Sequence, residues 1–221
     1  MNACREIILK NGDGGTGFIF NYKNKNFLVT AAHVVVGNRR LKKKQISISM
    51  KDDEYLYFEA DLYYHHDKNI DICVIPLKSN QYIDSTLSYH DEPVEVGAAY
   101  YIFGYPSTIE NTYVESNNTH QIPIPVIRKG IASHIGTSND IHYTWLDMIA
   151  IEGFSGSPVV AFHETNKPYV LGVLTNGNQN ANPVVDEDGK ELEYYSLSPT
   201  GFARAVHIIY VIDIIEQNGL V

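Results

Sequence analysis

The chain has 221 residues, of which 44% are hydrophobic, and a formal net charge of −9. That apolar content supports a substantial core and excludes global disorder. The negative balance excludes general nucleic-acid binding, which relies on broad basic surface.

The N-terminal segment Met1–Glu6 has no basic region followed by an apolar stretch and a small-residue cleavage site. No apolar run is long enough to cross a bilayer. Two cysteines, Cys4 and Cys73, cannot build a disulfide framework. The expectation is a reduced, cytoplasmic protein that engages no membrane.

Strand-like runs dominate the first 105 residues. Gly17–Tyr22 and Asn26–Thr30 flank Lys23-Asn24-Lys25 and read as a hairpin. The basic cluster Arg39-Arg40-Leu41-Lys42-Lys43-Lys44 reads as a solvated loop. Ile46–Met50 and Tyr55–Ala60 alternate with period two, Asp71–Leu77 is a nearly continuous apolar run, and Ala98–Phe103 ends at Gly104-Tyr105-Pro106. Six short strands between turn signals predict a small β-barrel over residues 1–106. Residues 107–125, poor in pattern and rich in Asn, Thr and Pro, predict a connection. Strands resume at Val126–Ser133, Trp145–Ile149, Pro158–Phe162 and Tyr169–Leu174, predicting a second unit over 126–221. Asn176–Tyr194 is long, polar and rich in Asn, Asp and Gly, so an exposed loop is expected. Ile208, Val211, Ile212 and Ile215 recur at helical spacing, which predicts a helix within 205–217 packed on the second barrel.

Three segments carry chemistry. Gly153-Phe154-Ser155-Gly156-Ser157-Pro158 places a serine between two glycines in a turn that opens into a strand. A serine hydroxyl is a poor nucleophile unless an imidazole takes its proton and a carboxylate orients that imidazole. His33, in Val29-Thr30-Ala31-Ala32-His33-Val34-Val35, suits the base; taken alone it reads first as a histidine that caps a helical turn after the strand. Asp71, between Ile70 and Ile72, suits the orienting carboxylate, because a buried carboxylate must be hydrogen-bonded or paired. Its other reading is a residue bonded to local backbone. Asp67, in the polar stretch His65-His66-Asp67-Lys68, reads as a loop residue. Together the segments yield the order His33, Asp71, Ser155. The backbone N–H groups of Gly153 and Ser155, with Phe154 as a third, would form the oxyanion hole. Ser157 precedes Pro158 and reads as the start of the next strand.

These segments resemble the chymotrypsin-like (trypsin-fold) serine peptidases over nearly the whole chain. Gly15-Thr16-Gly17-Phe18 is similar to the family's first strand, Thr30-Ala31-Ala32-His33 to its histidine box, Asp71–Ile75 to its aspartate strand and Gly153–Pro158 to its serine box. Val96-Gly97, Phe103-Gly104-Tyr105-Pro106, Lys129–Ser133 and Gly201-Phe202-Ala203 are more similar to disulfide-free bacterial Deg-type members than to secreted digestive enzymes. The resemblance implies an all-β fold of two six-stranded Greek-key barrels with a C-terminal α-helix. It implies a serine endopeptidase acting on protein or peptide substrates, without cofactor or metal. Phe154 stands where zymogen members carry Asp, which argues against activation by a buried new N-terminus.

In the resemblance, Ile149 lies at the base of the primary specificity pocket with Ala150 beside it. Thr175-Asn176-Gly177 matches the wall strand that pairs with the substrate backbone, Gly201 falls on the opposite wall, and Glu152 flanks the oxyanion turn. With no acid at the base, an apolar or small residue before the scissile bond is expected. The alternative function is a latent trypsin-fold regulatory or binding module that needs an activating protein partner or ligand.

Overall fold

A computed structural model of the chain describes residues 3–9, 12–36, 40–50, 54–78, 83, 85–89, 94–107, 109, 112–116, 120–162 and 167–221. Arg39, from the basic cluster, and parts of the expected 107–125 connection lie outside the described residues.

The first half contains β1 (Cys4–Ile8), β2 (Gly14–Tyr22), β3 (Lys25–Thr30), the short α1 (Ala32–Val36), β4 (Lys43–Ser49), β5 (Tyr55–Asp61), β6 (Tyr63–Tyr64), β7 (Cys73–Pro76) and β8 (Leu87–Tyr89). Antiparallel pairing runs β5–β4–β1–β2–β3–β7–β6. The β2–β3 hairpin turns at Lys23 and Asn24, whose φ values of 47° and 62° give the mirror-image turn that matches strand twist.

The second half contains β9 (Ala99–Gly104), β10 (Thr112–Ser116), β11 (His120–Ile124), β12 (Val126–Ser138), β13 (Ile141–Asp147), β14 (Pro158–Phe162), β15 (Pro168–Val185), β16 (Glu191–His207) and α2 (Ile209–Gln217). Here the pairing closes on itself as β9–β12–β13–β16–β15–β14–β9, a six-stranded barrel. The strand expected at Ala98–Phe103 in the first barrel is therefore β9 of the second. Its place is decided by long-range pairing with β12 and β14, which no local pattern encodes. Within the expected connection, β10 and β11 pair as a separate two-stranded sheet.

Two further expectations change. Asn176–Tyr194 is not a loop: β15 and β16 continue through it as a long paired ribbon, register Gln179↔Pro199 to Val185↔Glu191, with a turn around Asp186–Gly189. Mutual backbone pairing holds strands whose side chains have no core to enter. The helix begins at Ile209, because residues 205–207 belong to β16. It packs beside β6 and β7 of the first barrel. Tyr22 Oη and Lys23 Nζ donate to Glu216 Oε1 at 2.7 and 2.8 Å, and Lys25 Nζ to the Leu220 carbonyl at 2.8 Å.

The apolar side chains form three cores. Ile7, Ile19, Leu28, Ile46 and Ile75 fill the first barrel; Ile102, Leu146, Phe154, Val159 and Leu171 fill the second. Between them Phe18, Phe20, Ile70, Ile72, Phe103, Val173 and the apolar face of α2 form a seam. Strand β2 explains the division, since Phe18 and Phe20 point to the seam and Ile19, of opposite parity, points into the barrel. Strand β8 crosses the seam by pairing in parallel with both β2 and β15. Cys4 and Cys73 are free and buried, and burial pushes each thiol up to about 12. Among the described residues no helix is long and apolar enough to cross a membrane.

Candidate active site

The site lies at the seam, and each barrel contributes one half. In the first, β3 ends at Thr30 and the chain turns directly into α1. Val34 and Val35 are buried in the barrel core, which leaves His33 on the outer side of the turn. Asp71 lies just before β7, between fully buried Ile70 and Ile72. Its Oδ2 is 2.6 Å from His33 Nδ1, while Oδ1 accepts the His33 backbone N–H at 3.0 Å. The Asp71 carbonyl accepts the Ala32 N–H at 3.3 Å. A carboxylate on Nδ1 leaves Nε2 as the proton acceptor, the tautomer that general-base chemistry needs.

The loop before Asp71 is tied down by Arg40, which the sequence placed in a solvated cluster. Its guanidinium donates to the carbonyls of His65 at 2.5 Å, Asp67 at 3.3 Å and Ile70 at 3.2 Å, and it sits over the Tyr64 ring. Asp67 acts locally, accepting the Asn69 N–H on Oδ1 at 2.8 Å.

The second half is the serine turn. Gly153 and Gly156 have φ of +93° and +87°, a region that L side chains rarely adopt. A Cβ on Gly153 would lie 2.3 Å from the Tyr105 carbonyl oxygen, and one on Gly156 would lie 2.0 Å from that of Thr16 and 2.3 Å from Thr30 Oγ1. The turn thus presses directly on the strands leading to His33. The ring of Phe154 is fully buried in the second barrel core, so an apolar anchor stands at that position.

Thr16, which the sequence reading used only as part of a strand, clamps the turn. Its N–H donates to the Ser155 carbonyl at 2.9 Å, and its hydroxyl donates to the Gly153 carbonyl at 2.8 Å while accepting the Tyr105 N–H at 2.9 Å. The Glu152 carbonyl accepts the Ser107 N–H at 3.2 Å and the Phe154 carbonyl accepts the Ser157 N–H at 3.0 Å. In a trans peptide the C=O and the following N–H point in opposite directions. The N–H groups of Gly153 and Ser155 are therefore directed away from those contacts, and neither meets an acceptor among the described residues. Phe154 differs from the expectation of a third free donor: its N–H is bonded to the Ile151 carbonyl at 3.2 Å. A turn tight enough to present Ser155 closes that bond within itself. Ser157 is buried beside Gly104.

Ser155 borders a cleft of about 320 Å³ lined also by Ala150, Ile151, Glu152, Leu174, Asn176, Gly177, Asn178, Gln179 and Pro199. Ala150, Glu152, Asn176 and Gly177 were expected there. Ile149 is not in the cleft but 43% exposed. Thr175 points inward and is buried, its hydroxyl 3.4 Å from the Arg204 carbonyl. Gly201 is absent from the wall, where Pro199 stands instead. A one-residue change of strand parity moves a side chain to the opposite face, and β15 carries bulges at Leu174/Asn176 and Gly177/Gln179. Asn178 and Gln179 escaped notice because their segment read as a loop, and Pro199 because no element was read there. Among the described residues Ser155 Oγ makes no hydrogen bond, and no three His, Cys, Asp or Glu side chains could share a metal ion.

Two barrels meeting at a seam, with a histidine–carboxylate pair on one and a glycine-bracketed serine on the other, define a trypsin-like hydrolase. The chain belongs to the trypsin-like peptidase domain family, whose model matches residues 15–173; it is a serine endopeptidase by that membership. No curated protein sequence matches it. Among solved structures it is similar to the Rv3671c protease of M. tuberculosis in an inactive form, at TM-score 0.60 and 16% identity over 98% of this chain and 88% of that one. The HtrA-type protease AlgW with a tripeptide aligns at TM-score 0.61 and 16% identity, covering 98% of this chain and 60% of that one. A serine protease of human pathogenic astrovirus aligns at 0.54 and 20% identity, covering 94% and 90%. At these identities the likeness concerns the fold.

Proposed function

We propose that Ser155 is the nucleophile, His33 its general base and acid, and Asp71 the group that orients His33. In this reading Ser155 Oγ attacks the scissile carbonyl as His33 Nε2 takes its proton. The oxyanion develops toward the N–H groups of Gly153 and Ser155, and His33 then protonates the leaving amine. Water repeats the sequence on the acyl-enzyme. The observation that carries the reading is the two-point hold of Asp71 on His33, one oxygen on Nδ1 and the other on the backbone N–H.

The direction of the Glu152 carbonyl, toward Ser107, supports a hole that is assembled before substrate arrives rather than one awaiting a partner. The apolar wall groups Ala150, Ile151, Leu174 and Pro199 support an apolar or small residue before the scissile bond. An active-site-directed fluorophosphonate tests the assignment. Purified wild type should be labelled and Ser155→Ala should not; equal labelling of the two, or none of either, removes Ser155 from the role.

A further inference from the structure

The ribbon formed by the outer parts of β15 and β16 has two unlike faces. From Gln179↔Pro199 to Pro183↔Tyr195 the register is unbroken, with Ala181 opposite Leu197 and Asn182 opposite Ser196. Residues opposite each other, and those two apart along a strand, share a face. One face therefore carries Asn180, Asn182, Ser196 and Ser198, with Asn182 Nδ2 donating to Ser198 Oγ at 2.7 Å. The other carries Gln179 and Pro199, which line the Ser155 cleft, and then Ala181 with Leu197 and Pro183 with Tyr195. Leu197 is 66% exposed and Tyr195 68%.

An apolar stripe thus leaves the cleft and runs about 13 Å along the ribbon, at 3.3 Å per residue. Residues 186–193 beyond it hold Asp186, Glu187, Asp188, Glu191 and Glu193 against the single base Lys190, a balance of −4. From Thr175 outward, among the described residues, β15 pairs with β16 on one side and with no strand on the other. A free strand edge beside an apolar face accepts an extended peptide as an added strand.

We propose that this ribbon is a substrate exosite. An extended segment of a polypeptide substrate, outside the residues held in the cleft, lies along β15, packs apolar side chains over Ala181 and Pro183 against Leu197 and Tyr195 of β16, and places basic residues against the acidic tip. The inference rests on reading the Ser155 cleft as the place of cleavage. It supplies selectivity for long substrates that the small cleft cannot provide.

Three peptides sharing one cleavable core test it: the core alone, and the core extended at either end by a Leu/Tyr-containing segment finishing in lysines. One extended peptide should be cleaved with a kcat/KM on the order of tenfold higher than the core. Leu197→Ser with Tyr195→Ser should abolish that gain and leave turnover of the core unchanged. Tyr194→Ser, equally exposed but on the adjacent parity of β16, should keep it. If the double variant fails to fold, as loss of core turnover would show, the isolated extension peptide should still inhibit cleavage of the extended substrate by wild type and spare the core. Equal kcat/KM for all three peptides overturns the exosite. So does a gain that survives the double variant, or an extension peptide without selective inhibition. Core cleavage that persists in Ser155→Ala instead overturns the catalytic reading, so the two failures are distinct.

Discussion

The two halves of the site are held by different physics. In the first barrel, side chains do the positioning at the proposed site: the Asp71 carboxylate grips His33, and the Arg40 guanidinium grips the loop that delivers Asp71. In the second barrel, the serine turn is held through its backbone, by glycines, a buried ring and the Thr16 clamp. Side-chain positioning tolerates small changes in shape and fails when charge or hydrogen-bond polarity changes. Backbone positioning tolerates neither an added Cβ nor a lost buried partner.

The largest expected effect lies on the first half. Asp71→Asn keeps the shape, but an amide N–H facing Nδ1 favours the tautomer with its proton on Nε2, where the serine proton must go. We expect kcat to fall by roughly 10⁴-fold with little change in thermal midpoint. Steady-state kinetics and calorimetry on the same sample check this; a fall under about tenfold in kcat removes Asp71 from the orienting role.

The second half should lose stability along with turnover. Thr16→Val is close to isosteric but leaves the Gly153 carbonyl and the Tyr105 N–H without the hydroxyl that joins them. A loss of about 1–3 kcal/mol in unfolding free energy is expected, with kcat reduced roughly 10- to 100-fold and KM little changed, as the oxyanion turn loosens. Denaturant titration beside kinetics reads both. Activity unchanged despite the lost stability shows that the clamp supports the fold and not the turn.

The smallest effect belongs to Arg40→Met, which retains the apolar stem and removes three donor contacts. We expect a few-fold loss of kcat and about 1–3 kcal/mol of stability, with partial rescue by Arg40→Lys. Equal effects for Met and Lys point to packing against Tyr64 as the role of Arg40.

Several residues of the candidate site stood out in the local sequence. The glycine bracket of Ser155 reports backbone geometry, and a carboxylate between two isoleucines reports an acid that must be hydrogen-bonded or paired, because both are properties of a few adjacent residues. Thr16 and Arg40 were not legible. Their partners lie 137 and 25 to 30 residues away, at Gly153 and at His65–Ile70, and nothing in their neighbours announces the contact. The structure places Ile149 exposed after β13, Thr175 facing inward and Gly201 outside the residues that line the cleft; for Thr175 the adjoining bulge of β15 sets the parity, and a bulge leaves only a faint local signature.

Local pattern determined many of the barrel strands, the β2–β3 turn, the helical tail and the segments bearing His33, Asp71 and Ser155, since each follows from periodicity or from the conformational limits of single residues. Tertiary structure alone decided that β9 closes the second barrel, that α2 packs beside the first, and that the polar stretch after Asn176 becomes a ribbon with an apolar face. Those outcomes depend on which distant strand completes a backbone ladder and which core has apolar surface left to cover. That is a property of the assembled chain, not of any segment.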